Sequence, residues 1–274
     1  MSAQTTEATR FSALESRSDP RVATELAGEL SGDHFAGPLP VSTRDLSLGG
    51  ACVATRSPLA LGSLRTLALQ LPSGALRLNA LGRWQQWSAA TGVNLVGVAF
   101  SGASVEAQDA LWDHVLDESK AIARFLLRRS ELRDVGIDGA MSIGQASRLC
   151  LAGAGAAIFQ QGADARGPAG SFFVLREGSV QLRVRVRDAI ERDVALVEPG
   201  QIFGGLPMIA AASHFESAIA RTPCKLLEID ERAFLYLSQA RPWLSQKIAF
   251  AAARAYAQRL QHTLSALGGA AQAG

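Results

Sequence analysis

The side chains best suited to bind a charged ligand lie in two short motifs near the start of the chain. Arg17 and Arg21 form an RxxxR motif, and about two dozen residues later Asp45, Ser47 and Gly50 form a DxSxxG motif. The planar guanidinium of arginine suits phosphates and the edges of guanine, and a carboxylate accepts hydrogen bonds. Each motif alone is weak. The two in this order, with the first just before an apparent first strand, form a more specific pattern than either motif alone.

Short apolar stretches separated by turn residues occupy residues 22–100. The alternation at Leu67, Leu69 and Leu71 has the period of two that a half-buried strand requires. Several such strands at roughly ten-residue spacing predict a small barrel or sandwich. These strands must position the two motifs.

The motifs, the strands after them and the sequence GVAF at residues 97–100 resemble the PilZ domain family over residues 15–117, after a tail at residues 1–14. The resemblance implies a six-stranded β-barrel that binds cyclic di-GMP, a cyclic dianion with two guanines. The arginines would hold the ligand from the segment before the barrel, and the second motif would complete the site on the barrel surface. Arginine pairs with guanine O6 and N7 or with a phosphate, and aspartate accepts from guanine N1–H and N2–H₂. The ligand-binding residues implied are Arg17, Arg21, Asp45, Ser47, Gly49 and Gly50.

The sequence pattern changes after Ser101. Residues 105–133 contain neither proline nor glycine, and their apolar residues recur at three- and four-residue steps, which predicts an amphipathic helix. Gly136 and Gly139 are then expected to break the chain. We interpret residues 118–137 as a helical linker between two domains, with a short helix at residues 142–151 opening the second.

The second half resembles the cyclic-nucleotide-binding domain family, the β-roll of catabolite-activator proteins, over residues 138–267, before a tail at residues 268–274. The resemblance rests on IFQQG at residues 158–162, FFVLREGSV at residues 172–180 and VEPGQIFG at residues 197–204. It implies a long final helix. The fold class predicted for the whole chain is therefore mainly β with helices, a barrel followed by a β-roll.

The ligand cassette of that family is altered in this sequence. In the family, a short helix receives the cyclic phosphate, a glutamate binds the ribose 2′-OH and an arginine pairs with the phosphate. Here Gly205 stands at the glutamate position and Glu216 at the arginine position. A carboxylate repels a phosphodiester, so the resemblance implies a retained fold with a degenerate cassette. Its residues are Gly204, Gly205, Leu206, Glu216, Ser217 and Ala218.

Composition and motifs argue against several classes of protein. The net charge of +2, from 27 Lys and Arg against 25 Asp and Glu, is too balanced for a general nucleic-acid coat or an electrostatic membrane anchor. No segment approaches the roughly 18–20 apolar residues of a spanning helix, and the first residues do not resemble a signal peptide. Cys52, Cys150 and Cys224 lack metal-ligand spacing. Without a P-loop, nucleophile elbow or paired acid–base motif, we expect no enzyme, no metal and no cofactor.

We therefore expect a bacterial, cytoplasmic receptor for cyclic di-GMP whose second domain dimerises or docks an unidentified downstream protein. An apolar stripe in the final helix is compatible with a homodimer or with packing on its own roll; it comprises Ala253, Tyr256, Leu260, Leu264 and Leu267. We expect no membrane insertion and no direct DNA binding, because no basic recognition helix follows this helix. Two alternatives stay open. One is a dual sensor of cyclic di-GMP and a cyclic mononucleotide such as cAMP, and the other is a structural adaptor without a ligand.

Overall fold

The computed structural model describes residues 21–32, 37–88, 91–163, 170–185, 191–210 and 212–272, the last eleven by their backbone alone. Seven strands form the N-terminal half. They are β1 (Arg21–Val22), β2 (Ala27–Ser31), β3 (Leu39–Ser47), β4 (Gly50–Thr55), β5 (Leu64–Leu71), β6 (Gly74–Ser88) and β7 (Val93–Ser101).

Six of these strands close into an antiparallel barrel. Their order is β3-β2-β5-β6-β7-β4, and β4 pairs back with β3. The short β1 adds to β3, with Arg21 opposite Ser47. The predicted alternation is present in β5, where Leu67, Leu69 and Leu71 are buried. The barrel prediction is confirmed.

A long helix, α1 (Val105–Arg129), packs on the barrel and leads out of it. Ser104 begins the helix, because its Oγ accepts a hydrogen bond from the backbone N–H of Ala107 at 3.3 Å. After a 3₁₀ turn (Arg133–Val135) comes α2 (Gly136–Ala146).

The helix predicted at residues 142–151 is present only over residues 142–146, so its bounds were wrong. The helix α2 starts at Gly136, and β8 (Arg148–Ala152) already pairs with a later strand. Gly139 does not break the helix; it lies inside α2 at a close contact. A Cβ built there would lie 3.0 Å from Cη2 of Trp243. A side chain at this point would press on the helix that packs there.

The second half is a β-roll of two four-stranded sheets, β13-β10-β15-β8 and β12-β11-β14-β9. Stacked and tilted rings of Phe159, Phe173 and Phe203 fill its centre. Its strands after β8 are β9 (Ala157–Phe159), β10 (Phe172–Glu177), β11 (Val180–Arg185), β12 (Glu191–Val197), β13 (Ile202–Gly204), β14 (Ser217–Ala220) and β15 (Cys224–Ile229). Its helices are α3 (Leu206–Ala210), α4 (Glu231–Ala240) and α5 (Pro242–Gln272).

The two halves share one apolar core. A single cluster of buried side chains runs from Leu46 in the barrel through Ile122 of α1 and Ile143 of α2 to Leu244 and Ile248 of α5. The barrel wall is therefore in direct contact with the helices of the second half through this core.

Candidate functional site

The described part of the two N-terminal motifs is brought together at the junction of β1 and β3. Arg21 Nη1 donates a hydrogen bond to Asp45 Oδ1 at 2.8 Å. The same oxygen accepts a second bond, from the backbone N–H of Cys52 at 2.9 Å. Asp45 is thus fixed by its own barrel and holds Arg21 in turn. Arg17 lies outside the described residues.

The acid and the serine of this site are less exposed to solvent than residues of a patch on the barrel surface would be. Asp45 is 8% exposed and Ser47 2% exposed, whereas the side chain of Arg21 is 26% exposed. Ser47 Oγ is already used, since it donates to the backbone oxygen of Gly50 at 3.0 Å. Among the described side chains of this set, that of Arg21 is consequently the most exposed.

The two glycines of the second motif serve the barrel in different ways. Gly49 is exposed in the β3–β4 turn, and its oxygen accepts from the backbone N–H of Phe100 at 2.9 Å. Gly50 is buried in β4, where a Cβ would lie 2.3 Å from the backbone oxygen of Val98. Glycine is required at residue 50 because β7 passes so close.

A charged layer that the motifs did not reveal lies beside this site, where the barrel meets the roll. Arg44 is the extra residue of a β-bulge in β3, and β3 packs against β8. The Arg44 side chain is buried and donates to Ser42 Oγ and the backbone oxygen of Thr43, both at 2.8 Å. Burial lowers its pKa. Cys52 lies in the same layer, and burial, with the charge of Asp45, raises the pKa of its thiol to about 12.

A buried ion pair anchors the roll side of that junction. Arg148 Nε donates to Glu228 Oε2 at 2.8 Å, Arg148 Nη2 donates to Oε1 at 3.0 Å, and Ser171 Oγ donates to Oε1 at 2.7 Å. Burial alone would lower the pKa of Arg148, but the charge and hydrogen bonds of Glu228 hold it above its usual value. Sequence reasoning missed this pair, because 80 residues separate its members.

The cassette of the second half is closed at Gly205. Gly204 and Gly205 both have positive φ, at 76° and 75°. A Cβ on Gly205 would lie 2.1 Å from Cδ1 of Phe172, whose ring is fully buried. A side chain at residue 205 would therefore require the Phe172 ring to move. The helix α3, which follows from Leu206, has only five residues.

Glu216 is buried at the start of β14. It is 1% exposed, and Arg259 Nη1 on α5 lies 3.9 Å from its Oε1. Burial raises the pKa of Glu216 to about 7, although the charge of Arg259 opposes the rise. The neighbouring Ser217 Oγ accepts from the backbone N–H of Gln161 at 2.9 Å, and Ala218 is in the core. The side chains of Glu216, Ser217 and Ala218 are therefore buried in the roll or hydrogen-bonded to it.

The helix α5 covers this cassette. Tyr256 Oη donates to the backbone oxygen of Gly204 at 3.3 Å, and Arg259 Nη2 donates to the backbone oxygen of Ile202. The Arg259 guanidinium lies over the Tyr256 ring at 5.3 Å. Tyr256 therefore faces its own roll and is not part of an outward stripe. The outward apolar face of the described helix consists of Phe250, Ala253, Ala257 and Leu260.

The described residues thus form a closed barrel followed by a β-roll that a helix covers. Family comparison gives the particular families. The PilZ domain matches residues 15–117, and the cyclic nucleotide-binding domain matches residues 152–241. The chain thus carries a PilZ domain followed by a cyclic nucleotide-binding domain. Both families consist of regulatory ligand-binding domains.

Solved structures resemble the chain in part. A cyclic nucleotide-binding domain from Methylobacillus flagellatus is 15% identical with a TM-score of 0.46, covering 54% of this chain and 82% of that one. The catabolite activator protein of Thermus thermophilus is 22% identical with a TM-score of 0.42, covering 50% and 61%. The cyclic di-GMP-responsive regulator CLP of Xanthomonas campestris is 20% identical with a TM-score of 0.41, covering 47% and 61%. Comparison with curated proteins finds no significant match. Within the described residues, no helix has the length and apolar character needed to cross a membrane.

Proposed function

We propose that this protein is a cyclic di-GMP receptor that binds its ligand on the PilZ domain and performs no chemistry. The observation that carries the proposal is the Arg21–Asp45 contact, which joins the two ligand-binding motifs of the matched family in one place. The proposed site consists of Arg17, Arg21, Asp45, Ser47, Gly49 and Gly50.

The chemistry of Arg21 fits a guanine-containing dianion. A guanidinium has five N–H donors, and the contact with Asp45 uses one of them. The others can pair bidentately with guanine O6 and N7 or with a phosphate. Asp45, held by Cys52, acts as the positioning group that turns the arginine towards the ligand.

For the second domain we propose a role in dimerisation or partner docking and not in cyclic mononucleotide binding. Gly205 leaves no room for a ribose-binding glutamate, and Glu216 places negative charge where the family pairs with a phosphate. The outward face of α5 favours a second copy of this chain as the partner, because its residues follow the three- and four-residue spacing of paired helices: Phe250, Ala253, Ala257 and Leu260.

Calorimetric titration tests the proposal. Cyclic di-GMP is titrated into wild type, Arg21→Ala, Arg21→Lys and Arg77→Ala, with cAMP as a parallel titrant. Arg77 is an exposed arginine elsewhere on the barrel and serves as the control. We expect micromolar or tighter binding by wild type and Arg77→Ala, and at least about tenfold weaker binding by both Arg21 variants, since lysine lacks the planar fork.

The other outcomes assign the protein to the other classes. If wild type gives no heat with cyclic di-GMP, the receptor proposal is wrong and the structural adaptor remains. Saturable binding of both cyclic di-GMP and cAMP would establish the dual sensor. Saturable binding of cAMP, with or without cyclic di-GMP, would contradict our reasoning on Gly205 and Glu216.

A further inference from the structure

A carboxylate lies buried between the β-roll and its last helix. Glu216 is 1% exposed, and its Oε1 accepts no hydrogen bond from any described residue. Arg259 Nη1 is 3.9 Å from that oxygen, which is too long for a hydrogen bond. An ionised carboxylate in such a place is costly, because the protein replaces little of the water it has lost.

The groups around Glu216 come from two elements. Arg259 and Tyr256 approach from α5, where the Tyr256 hydroxyl donates a hydrogen bond to the backbone oxygen of Gly204 and Arg259 supplies a guanidinium. His214 precedes Glu216 on the same segment, is 2% exposed and stacks on the Phe159 ring at 3.9 Å. Of these groups, Arg259 is the cation that opposes the cost of ionising Glu216.

Glu216 is covered by α5, and Tyr256 and Arg259 of this helix hydrogen-bond to the backbone of the roll. If α5 moves away, water reaches residue 216 and the carboxylate recovers its hydration. We propose that protonation of Glu216 controls the docking of α5: the neutral acid favours the docked helix, and the carboxylate favours a displaced one. This inference concerns the second domain and does not depend on cyclic di-GMP binding.

The direction of the effect follows from the burial of the acid. In the docked state burial raises the pKa of Glu216 from 4.5 to about 7. A displaced helix returns the pKa towards 4.5, so the displaced state gains stability as the pH rises between these values. Between pH 5 and pH 8 the docking equilibrium moves by up to roughly 70-fold towards the displaced helix.

Hydrogen–deuterium exchange of the whole protein tests this at pH 5 and pH 8, after correction for the intrinsic exchange rate. In wild type we expect protection of residues 248–260 to fall by up to roughly 70-fold at the higher pH. In Glu216→Gln the fall should be less than about threefold, since the amide does not titrate. Glu198→Gln, which removes an exposed glutamate of the same domain, should behave as wild type.

A second variant keeps the test independent of how well Glu216→Gln folds. Arg259→Gln removes the opposing cation, so the pKa of Glu216 in the docked state should rise further. The loss of protection between pH 5 and pH 8 should then be larger than in wild type. Measurement at two protein concentrations separates protection by a second copy. Equal protection of wild-type α5 at both pH values, or an unchanged pH response in Glu216→Gln, would overturn the proposal.

Discussion

Gly205 decides whether the second domain can hold a cyclic nucleotide as its family does, and its substitution is a direct test of the geometry. Its φ of 75° disfavours any L side chain, and a Cβ would overlap Phe172 at 2.1 Å. The Phe172 ring is fully buried and packs on Phe234 at 5.0 Å between ring centres, so it has little room to retreat. We expect Gly205→Ala to destabilise the protein severely.

The magnitude has two parts. The left-handed conformation costs an alanine about 1–2 kcal/mol. Forcing an extra carbon into a packed core adds about 1–3 kcal/mol, which gives a total of about 2–5 kcal/mol in the free energy of unfolding. Gly155→Ala is the matched control: Gly155 has a φ of 81° in the same half of the chain, and a Cβ there meets nothing within 4 Å. It should cost only the conformational part.

Urea denaturation of the two variants and wild type measures the difference. The result that refutes the reasoning is equal destabilisation by Gly205→Ala and Gly155→Ala, because the Phe172 ring would then yield at little cost. In that case a glutamate could be accommodated at residue 205, and the exclusion of a ribose contact would fail. A double variant, Gly205→Ala with Phe172→Leu, should recover part of the loss if the overlap is the cause.

Two further predictions concern the ion pairs and the last helix. Arg148→Met should lower the free energy of unfolding by about 3–5 kcal/mol, because it leaves Glu228 buried without its cation. Arg183→Met removes an exposed ion pair with Asp193 that has the same 2.8 Å distance, and it should cost less than about 1 kcal/mol. If denaturant titrations showed similar losses of unfolding free energy for the two variants, the role of burial would be contradicted. Sedimentation equilibrium should show a dimer for wild type and for Gln258→Asp, whose side chain points away from the outward face, and a monomer for Phe250→Asp. A monomeric wild type would remove α5 as a dimer interface.

The barrel could be predicted from the sequence because its signals are local. Alternation at Leu67, Leu69 and Leu71 needs only neighbouring positions, and the same holds for the amphipathic pattern of α1. The prediction that Gly139 breaks the chain was wrong because the reason for this glycine is not local in sequence. Gly139 is explained by Trp243, which is more than a hundred residues away in sequence and reaches it only through the folded core.

The motifs identified Arg21 and Asp45, but not how the protein uses them. The two residues are 24 positions apart in sequence, and their contact depends on the pairing of β1 with β3. The bond from Cys52 to Asp45, the bulge at Arg44 and the coverage of both acid and serine follow from strand pairing and domain packing. None of these is encoded in residue type or spacing along one segment.

The altered cassette illustrates how a local change depends on a distant partner. The sequence predicts that Glu216 repels a phosphate, and the structure adds that Arg259 of α5 lies 3.9 Å from it. If the arginine of the family were restored at residue 216, two guanidinium groups would face each other beneath the same helix, and their repulsion would favour displacement of α5. Gly205, closed by Phe172, would still lack the ribose contact. We therefore expect that a reversion at residue 216 alone does not restore cyclic nucleotide binding. The cassette residues pack against Phe172 of the core and against α5, so a change in one of them requires changes in the others.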